Sequence, residues 1–516
     1  MNSRGDSGAG GPANPGQPPK DTVGDRPERL HAPSIGGPEG RPPATPVDRI
    51  ADEAERAGAE TTPAQTLTSF DWLSTIADEL VLISDRMGNQ PAAAKAPSEP
   101  PSAHASDFAD LPLDAASASI LGQVVLGYSP IIDEHRGVIA TRLTLVPVRA
   151  DAVLDTGALL RAVGEVWPAG SGVVSLNVVS EPLLKDLLRA KPNPNVMIEV
   201  PASLAGAPDN AQALQEIASR GNTLLIKGRP ERELPRAVLP CFKWSIVDFA
   251  DDRRLGGAAP PSGVARSIPH LQTGVRTMAQ LRLSFSRGAI AVIGWPIHES
   301  LTSFQKARPD LRVVLEMISR IDRGEATAAI AQSLMRDPLL GFELLRYVNA
   351  APSGPLQLEA GSFQDAISIL GHPHLRRWLA GILGQAGDEV LLKPVNFAAL
   401  RRGLLMRLLA ADSSDAQTRD ELFMCGAFSL LDRILAKPVG ELMRTLVLPE
   451  RVRQALVERR GPFLPMLELA RAIESEVPHD IRAAANAAFV SPLEINRALL
   501  RTLHIASSME RVSSGS

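Results

Sequence analysis

Two periodicities divide this chain, and the division constrains its fold more than any other feature. Between residues 120 and 299 short β-rich runs (ILGQVVLGYSPII, GVVSLNVVS, NVMIEV, NTLLIKG, KWSIVDF, GAIAVIGW) alternate with amphipathic helical stretches. Such alternation marks βαβ units and a parallel sheet, because parallel neighbours need a long crossover that a helix supplies. Beyond Arg308 the strands cease, and amphipathic helices punctuated by Pro or Gly follow one another to about Ile505. Pro338, Pro373, Pro449 and Pro492 stand where a first helical turn tolerates proline, since the missing N–H would have no partner there. An α/β half followed by an all-α half is expected.

The segments ahead of these halves read differently. Residues 1–66 are dominated by Gly, Pro, Ala and mixed charge, a composition that buries too little apolar area to offset chain entropy, and are expected to be disordered. Within 67–88, Leu73, Ile76, Leu80, Ile83 and Met87 recur at steps of three and four, which predicts an isolated amphipathic helix capped by Thr68 and ended by Gly88. A low-complexity linker at 89–118 separates it from the rest, so its apolar stripe either docks on the chain's own domains or serves a partner or a second copy. The α/β region is expected over 119–305, the helical region over 306–506, and a disordered tail over 507–516.

Composition narrows the function classes. Hydrophobic residues make up 44% of the chain, yet charges or prolines break every apolar run well before the ~18 residues of a membrane span. The amino terminus lacks the apolar stretch of a secretory signal, so a cytoplasmic location is expected. Cys241 and Cys425 lie far apart in apolar neighbourhoods, which points to buried, reduced thiols rather than a disulfide or thiolate metal site. The formal charge of −4 lacks the footprint of a nucleic-acid binder.

The helical half carries a family likeness. MRDPLLGFELLRYVNAAPSG, followed by SFQDAISILGHPHLRRWL, resembles the HDOD family, whose members share a DP-x-L…LL…VN-[SA] stretch and a later A-I…LG turn. The match falls on Asp337, Pro338, Leu339, Leu344, Leu345, Asn349, Ala366, Leu370 and Gly371. Read physically, Asp337 caps the helix that Pro338 begins, and Leu339, Phe342, Leu345 and Val348 form one apolar face. The resemblance implies an all-helical domain without the metal ligands of HD phosphohydrolases. His479–Asp480 is the sequence's HD dipeptide, but it comes near the domain's end and reads as a chance pair in a helix's first turn.

A βα-rich region ahead of such a domain is similar in order to the EAL family, TIM-like barrels that hydrolyse cyclic di-GMP. The likeness rests on GVIATRLTLV, VSLNVVS, VMIEVPASL, GNTLLIKGRP, WSIVDF, LQTGVRT and GAIAVIGWP. Such barrels place reactive residues at the carboxyl ends of strands, and this family holds divalent metals there with carboxylates and an asparagine. By position, the glutamate that names the family falls on Arg142, and the asparagine ligand is kept as Asn177. Glu199 matches a less essential glutamate, whereas the metal-binding one has become Ala202. The aspartate pair falls on Lys227 and Gly228, the catalytic lysine on Ile246, the late glutamates on Thr273 and Arg276, and a glutamine on Ile293. One ligand cannot hold a divalent ion, and cations at carboxylate positions repel it. The resemblance therefore implies a degenerate EAL-like barrel without metal, cofactor or catalysis, and the chain is expected not to be an enzyme.

Of the residual positions, Asn177 is expected to satisfy backbone groups, and Glu199 and Asp248 to pair with the new cations. Arg142, Lys227 and Arg276 either form internal salt bridges or converge at the barrel mouth to hold an anion. The function expected from the likeness is a signalling scaffold whose two domains contact a sensor kinase, a response regulator or a diguanylate cyclase, alone or as a homodimer. The alternative is a sensor of cyclic di-GMP or another phosphate ligand.

Overall fold

The computed structural model describes residues 114–514, apart from positions 150, 170, 231–232, 253–267, 298–306, 351–359, 388–391, 411–414, 445 and 447. The region expected to be disordered at 1–66 and the amphipathic helix with Leu73, Ile76, Leu80, Ile83 and Met87 lie outside the described residues.

Eight strands close into a barrel in chain order: β1 (Val124–Ile132), β2 (Val138–Pro147), β3 (Val173–Val178), β4 (Val196–Pro201), β5 (Leu224–Lys227), β6 (Phe242–Asp248), β7 (His270–Thr273) and β8 (Ala291–Ile293). Helix α1 (Ala115–Leu121) leads in; α2 (Thr156–Val166), α3 (Glu181–Arg189), α4 (Ala202–Ala205), α5 (Ala211–Ser219) and α6 (Met278–Ser286) connect later strands. Local capping sets where these helices begin. The Asp155 and Ser180 side chains accept backbone N–H groups at the starts of α2 and α3, and Thr277 with Gln280 forms a reciprocal capping box on α6.

The sheet is parallel from β2 to β8, but β1 runs antiparallel to both of its neighbours. The expected parallel sheet thus runs from β2 to β8, and β1 departs from it. Only a short turn separates β1 from β2, too little for a crossover, so the pair must form a hairpin. Asp133 closes it, its carboxylate accepting the Gly137 N–H at 2.7 Å.

Thirteen α-helices follow among the described residues: α7 (Leu311–Asp322), α8 (Thr327–Leu334), α9 (Pro338–Ala350), α10 (Phe363–Leu370), α11 (His372–Leu383), α12 (Lys393–Leu409), α13 (Ala416–Phe428), α14 (Leu431–Leu435), α15 (Val439–Met443), α16 (Glu450–Arg453), α17 (Leu464–Ser475), α18 (Pro478–Ala488) and α19 (Pro492–Ser514). Asp337 is buried, and its side chain accepts from the N–H groups of Leu339, Leu340 and Asp310, which fixes the start of α9 and ties it to α7. The Asn349 side chain accepts from the Ala360 N–H, and Gly371 takes a positive φ of 73° between α10 and α11. His479 and Asp480 lie exposed in the first turn of α18.

Two expected boundaries move. The linker placed at 89–118 ends inside α1, where Asp114 accepts from the Ser117 N–H, and the tail placed at 507–516 is helical to Ser514 as the end of α19. Cys425 is buried, which pushes its thiol up to about 12, whereas Cys241 is only partly buried, contrary to expectation.

Barrel and helical region share one continuous apolar core running from Ile120 to Ala506. All nine residues of β1 are buried, with α17 and α19, and to a lesser extent α1 and α18, packed against it. Asn496 of α19 stitches the two together: its side chain accepts from the Leu126 N–H at 3.2 Å and donates to the Leu121 and Val124 carbonyls, each at 2.7 Å. Gly127 allows the close approach, since a Cβ there would stand 3.1 Å from the Glu476 Cα and 3.2 Å from the Ile473 carbonyl.

Candidate functional site

Strand periodicity builds the site. Ile131, Ala140, Met197, Leu225, Ile246, Leu271, Ala291 and Ile293 form an apolar plug inside the barrel. Side chains two residues along a strand point the same way. The layer above the plug, towards the mouth, therefore holds Ser129, Arg142, Glu199, Lys227, Asp248 and Thr273, with Ser175 and Asn177 supplied by β3. An apolar floor beneath a polar, charged mouth is the result.

Within that layer Arg142 is the hub. Its guanidinium donates to both Glu199 oxygens at 2.7 Å, and the two side chains are buried at 7% and 0% exposure. A third donor reaches Glu476, at the end of α17, at 3.1 Å. Burial alone would lower the Arg142 pKa, but the Glu199 and Glu476 carboxylates outweigh it and hold the pKa above its ordinary value. Ser175 donates a further hydrogen bond to Glu199. Lys227 donates to the Asn177 carbonyl oxygen at 2.9 Å, and the Asn177 amide donates to Thr144 at 3.1 Å. Burial, and then the Arg142 charge, push the Lys227 pKa down against the pull of Glu199 and Glu476.

Several sequence expectations change here. Of the two alternatives for the three cations, Arg142 takes internal salt bridges, with Glu199 and Glu476, while Lys227 bonds Asn177 and Arg276 lies exposed at the rim. Asn177 satisfies side chains rather than backbone. Asp248 pairs with no cation among the described residues and accepts instead from the Ala250 N–H at 2.8 Å.

A divalent cation does not fit this arrangement. The Asn177 oxygen is occupied by an ammonium, Glu199 by a bidentate guanidinium, and among the described residues no cluster of three His, Cys, Asp or Glu side chains is disposed to hold a metal.

Sequence reading missed the helical region's share of the site. Arg402 of α12 makes a buried bidentate pair with Glu474 of α17 and also donates to Ser429. Arg471, Glu474 and Glu476 line a cavity of about 510 Å³ between the barrel mouth and the helices, together with Arg276, Gly294, Trp295 and Arg459. One signal was available: the arginine pair Arg401 and Arg402 interrupts the apolar run from Phe397 to Met406 in α12, and buried charges require partners.

The fold and mouth define a closed (β/α)-type barrel fused to a helical region that covers its open end. No protein-family model matches the chain. An uncharacterized Bacillus subtilis protein, YuxH, is 28% identical over 185 residues, which are 34% of this chain and 40% of that protein. The cyclic di-GMP phosphodiesterase CdgJ of Vibrio cholerae is 23% identical over 306 residues, 58% of this chain and 70% of that protein. Among solved structures, the MmoQ response regulator of Methylococcus capsulatus is 18% identical, with 38% of this chain and 99% of that one covered at a TM-score of 0.31. The EAL domain of Mycobacterium smegmatis DcpA is 16% identical, with 34% and 92% covered at a TM-score of 0.26.

Similarity to a phosphodiesterase overturns the expectation that this chain is not an enzyme. The similarity supports a place in signal transduction. Among the described residues no helix is long and apolar enough to cross a membrane.

Proposed function

We propose that this chain is a cyclic di-GMP signalling protein, built from an EAL-like barrel with replaced metal-ligand positions and an HDOD-like helical domain. In this reading it acts on other signalling proteins through the surface of the docked pair. The Arg142–Glu476 contact carries the reading. It runs from the inner layer of the barrel to the end of α17, so an event at the mouth and an event on the helical surface share one ion pair. The relative CdgJ supplies the ligand class. The HDOD-like stretch, with Asp337, Pro338, Asn349 and Gly371 at structural positions, supplies the interaction surface. Partners of this chemistry are a sensor kinase, a response regulator or a diguanylate cyclase.

The test is genetic. Deleting the gene in its host should alter a cyclic di-GMP-dependent output. The full chain should restore that output, and a Glu476→Gln chain that folds should restore it only in part. A deletion strain with unchanged cyclic di-GMP-dependent behaviour overturns the reading. In parallel, purified protein incubated with cyclic di-GMP and manganese reads out turnover directly as linear dinucleotide.

A further inference from the structure

Helix α11 has a buried side and a bare one. Leu375 and Leu379 are fully buried, and Arg376 is turned to Asp322 of α7 at 2.6 Å. On the other side His374, Arg377 and Gly381 follow one another at steps of three and four residues, and all are exposed. Trp378 stands half-buried at the edge of that side. Its ring is braced by Tyr347 of α9, the centroids 5.8 Å apart and the planes inclined by 33°, and Tyr347 is itself 46% exposed. Arg377 makes no ion pair among the described residues.

A glycine inside a helix lowers stability relative to alanine, so each one needs a reason. Close packing supplies it elsewhere in the helical region. A Cβ would stand 2.6 Å from the Phe363 ring at Gly341 of α9, 2.8 Å from the Phe423 ring at Gly403 of α12, and 2.7 Å from the Arg402 carbonyl oxygen at Gly426 of α13. At Gly381 a Cβ would meet nothing within 4 Å among the described residues. No packing within those residues calls for that glycine. It leaves a hollow on the exposed side of α11, one turn from a fixed aromatic ring.

A knob and a hollow one turn apart fit each other when two such helices cross antiparallel about a two-fold axis, because an isologous contact sets residue i on j and j on i. Charge selects the same arrangement. A parallel pair would bring the two Arg377 side chains together, whereas the antiparallel pair sets each beside the carboxyl end of the other helix, where the dipole favours a cation. The brace from Tyr347 means that the Trp378 ring gives up little freedom on docking.

We infer that this side of α11 is an interface with a second copy of the chain, Trp378 of each copy seated over Gly381 of the other. One helix pair lies at the small end of interface sizes, so the association is weak and concentration-dependent. The inference is independent of the proposed function, since it invokes neither a nucleotide nor a signalling partner, and either can fail without the other.

Sedimentation equilibrium of the full chain over a wide range of concentration tests it. The parent protein should pass from monomer towards dimer as concentration rises. Gly381→Glu fills the hollow with a charge at a position open to water in the monomer, and should raise the dimer dissociation constant by at least about tenfold. Arg377→Glu should raise it in the same direction, because the new carboxylate would meet the negative end of the other helix. Lys185→Ala, on α3 and paired with Glu181, should leave it unchanged. Circular dichroism confirms that each variant is folded. A monomer at every concentration overturns the inference and leaves the surface to a different protein. A dimer that either α11 variant leaves as tight as the parent overturns it by placing the interface elsewhere.

Discussion

Arg142 and Glu476 lie 334 residues apart in the chain and meet at 3.1 Å across the mouth of the barrel. The contact is directional: Arg142 is already held in plane by both oxygens of Glu199, so its remaining donor points out of the barrel at the end of α17. Glu476 is presented from a left-handed backbone position, φ 57°, which a non-glycine residue adopts at some energetic cost.

The pairing makes the barrel interior dependent on its cation. Arg142→Ala leaves Glu199 buried and unpaired, and should destabilise the chain by about 3 to 5 kcal/mol in urea unfolding. The double variant Arg142→Met with Glu199→Leu should recover most of that loss. A double variant as unstable as the single one would show that the ion pair is not the origin of the effect.

Asn496→Ala should orphan the Leu121 carbonyl at the end of α1 and the Val124 carbonyl and Leu126 N–H at the start of β1. The cost should be on the order of 1 to 3 kcal/mol for each group that water cannot reach. Hydrogen exchange of the Leu126 amide should accelerate with the global loss of stability. Protection at Leu126 equal to that of the parent would mean that the first strand is held by packing alone.

Asp337 sets a pH dependence. Burial raises its pKa to about 6, against the pull of the N–H groups of Asp310, Leu340 and Leu339. A carboxyl with a raised folded-state pKa binds more protons in the folded than in the unfolded chain, so stability falls as pH rises. The contribution, on the order of 3 kcal/mol, is fully present below about pH 4 and lost as pH passes about 6. Melting of Asp337→Asn should lack this slope, and an equal slope in both proteins would assign it to another group.

Magnesium or manganese added alone should leave the melting temperature unchanged, because the Asn177 oxygen is already taken by Lys227 and the Glu199 carboxylate by Arg142. Freeing Asn177 with Lys227→Met should still yield no metal-dependent rise, since one neutral ligand is too few. A metal-dependent rise that Asn177→Ala abolishes would show that the lysine yields its place.

What the sequence determined by itself was local. Strand and helix periods placed the α/β and all-α halves, Asp337 and Pro338 marked the start of α9, and the resemblance to EAL barrels singled out Arg142, Asn177, Glu199 and Lys227 on successive strands. These depend on neighbours within a few residues, and periodicity and capping record such neighbours directly.

Tertiary structure alone decided the partners. Nothing near Glu476 announces that it meets Arg142, nothing near Asn496 that it bonds β1, and nothing near Arg471 or Arg459 that they face Arg276 across a cavity. A buried charge advertises only that it needs a counter-charge, as the arginine pair in α12 does. Which of 58 acidic residues provides it depends on how the helical region docks on β1. That docking rests on apolar packing contributed by many residues at once, each too small a share to be read from its own position in the chain.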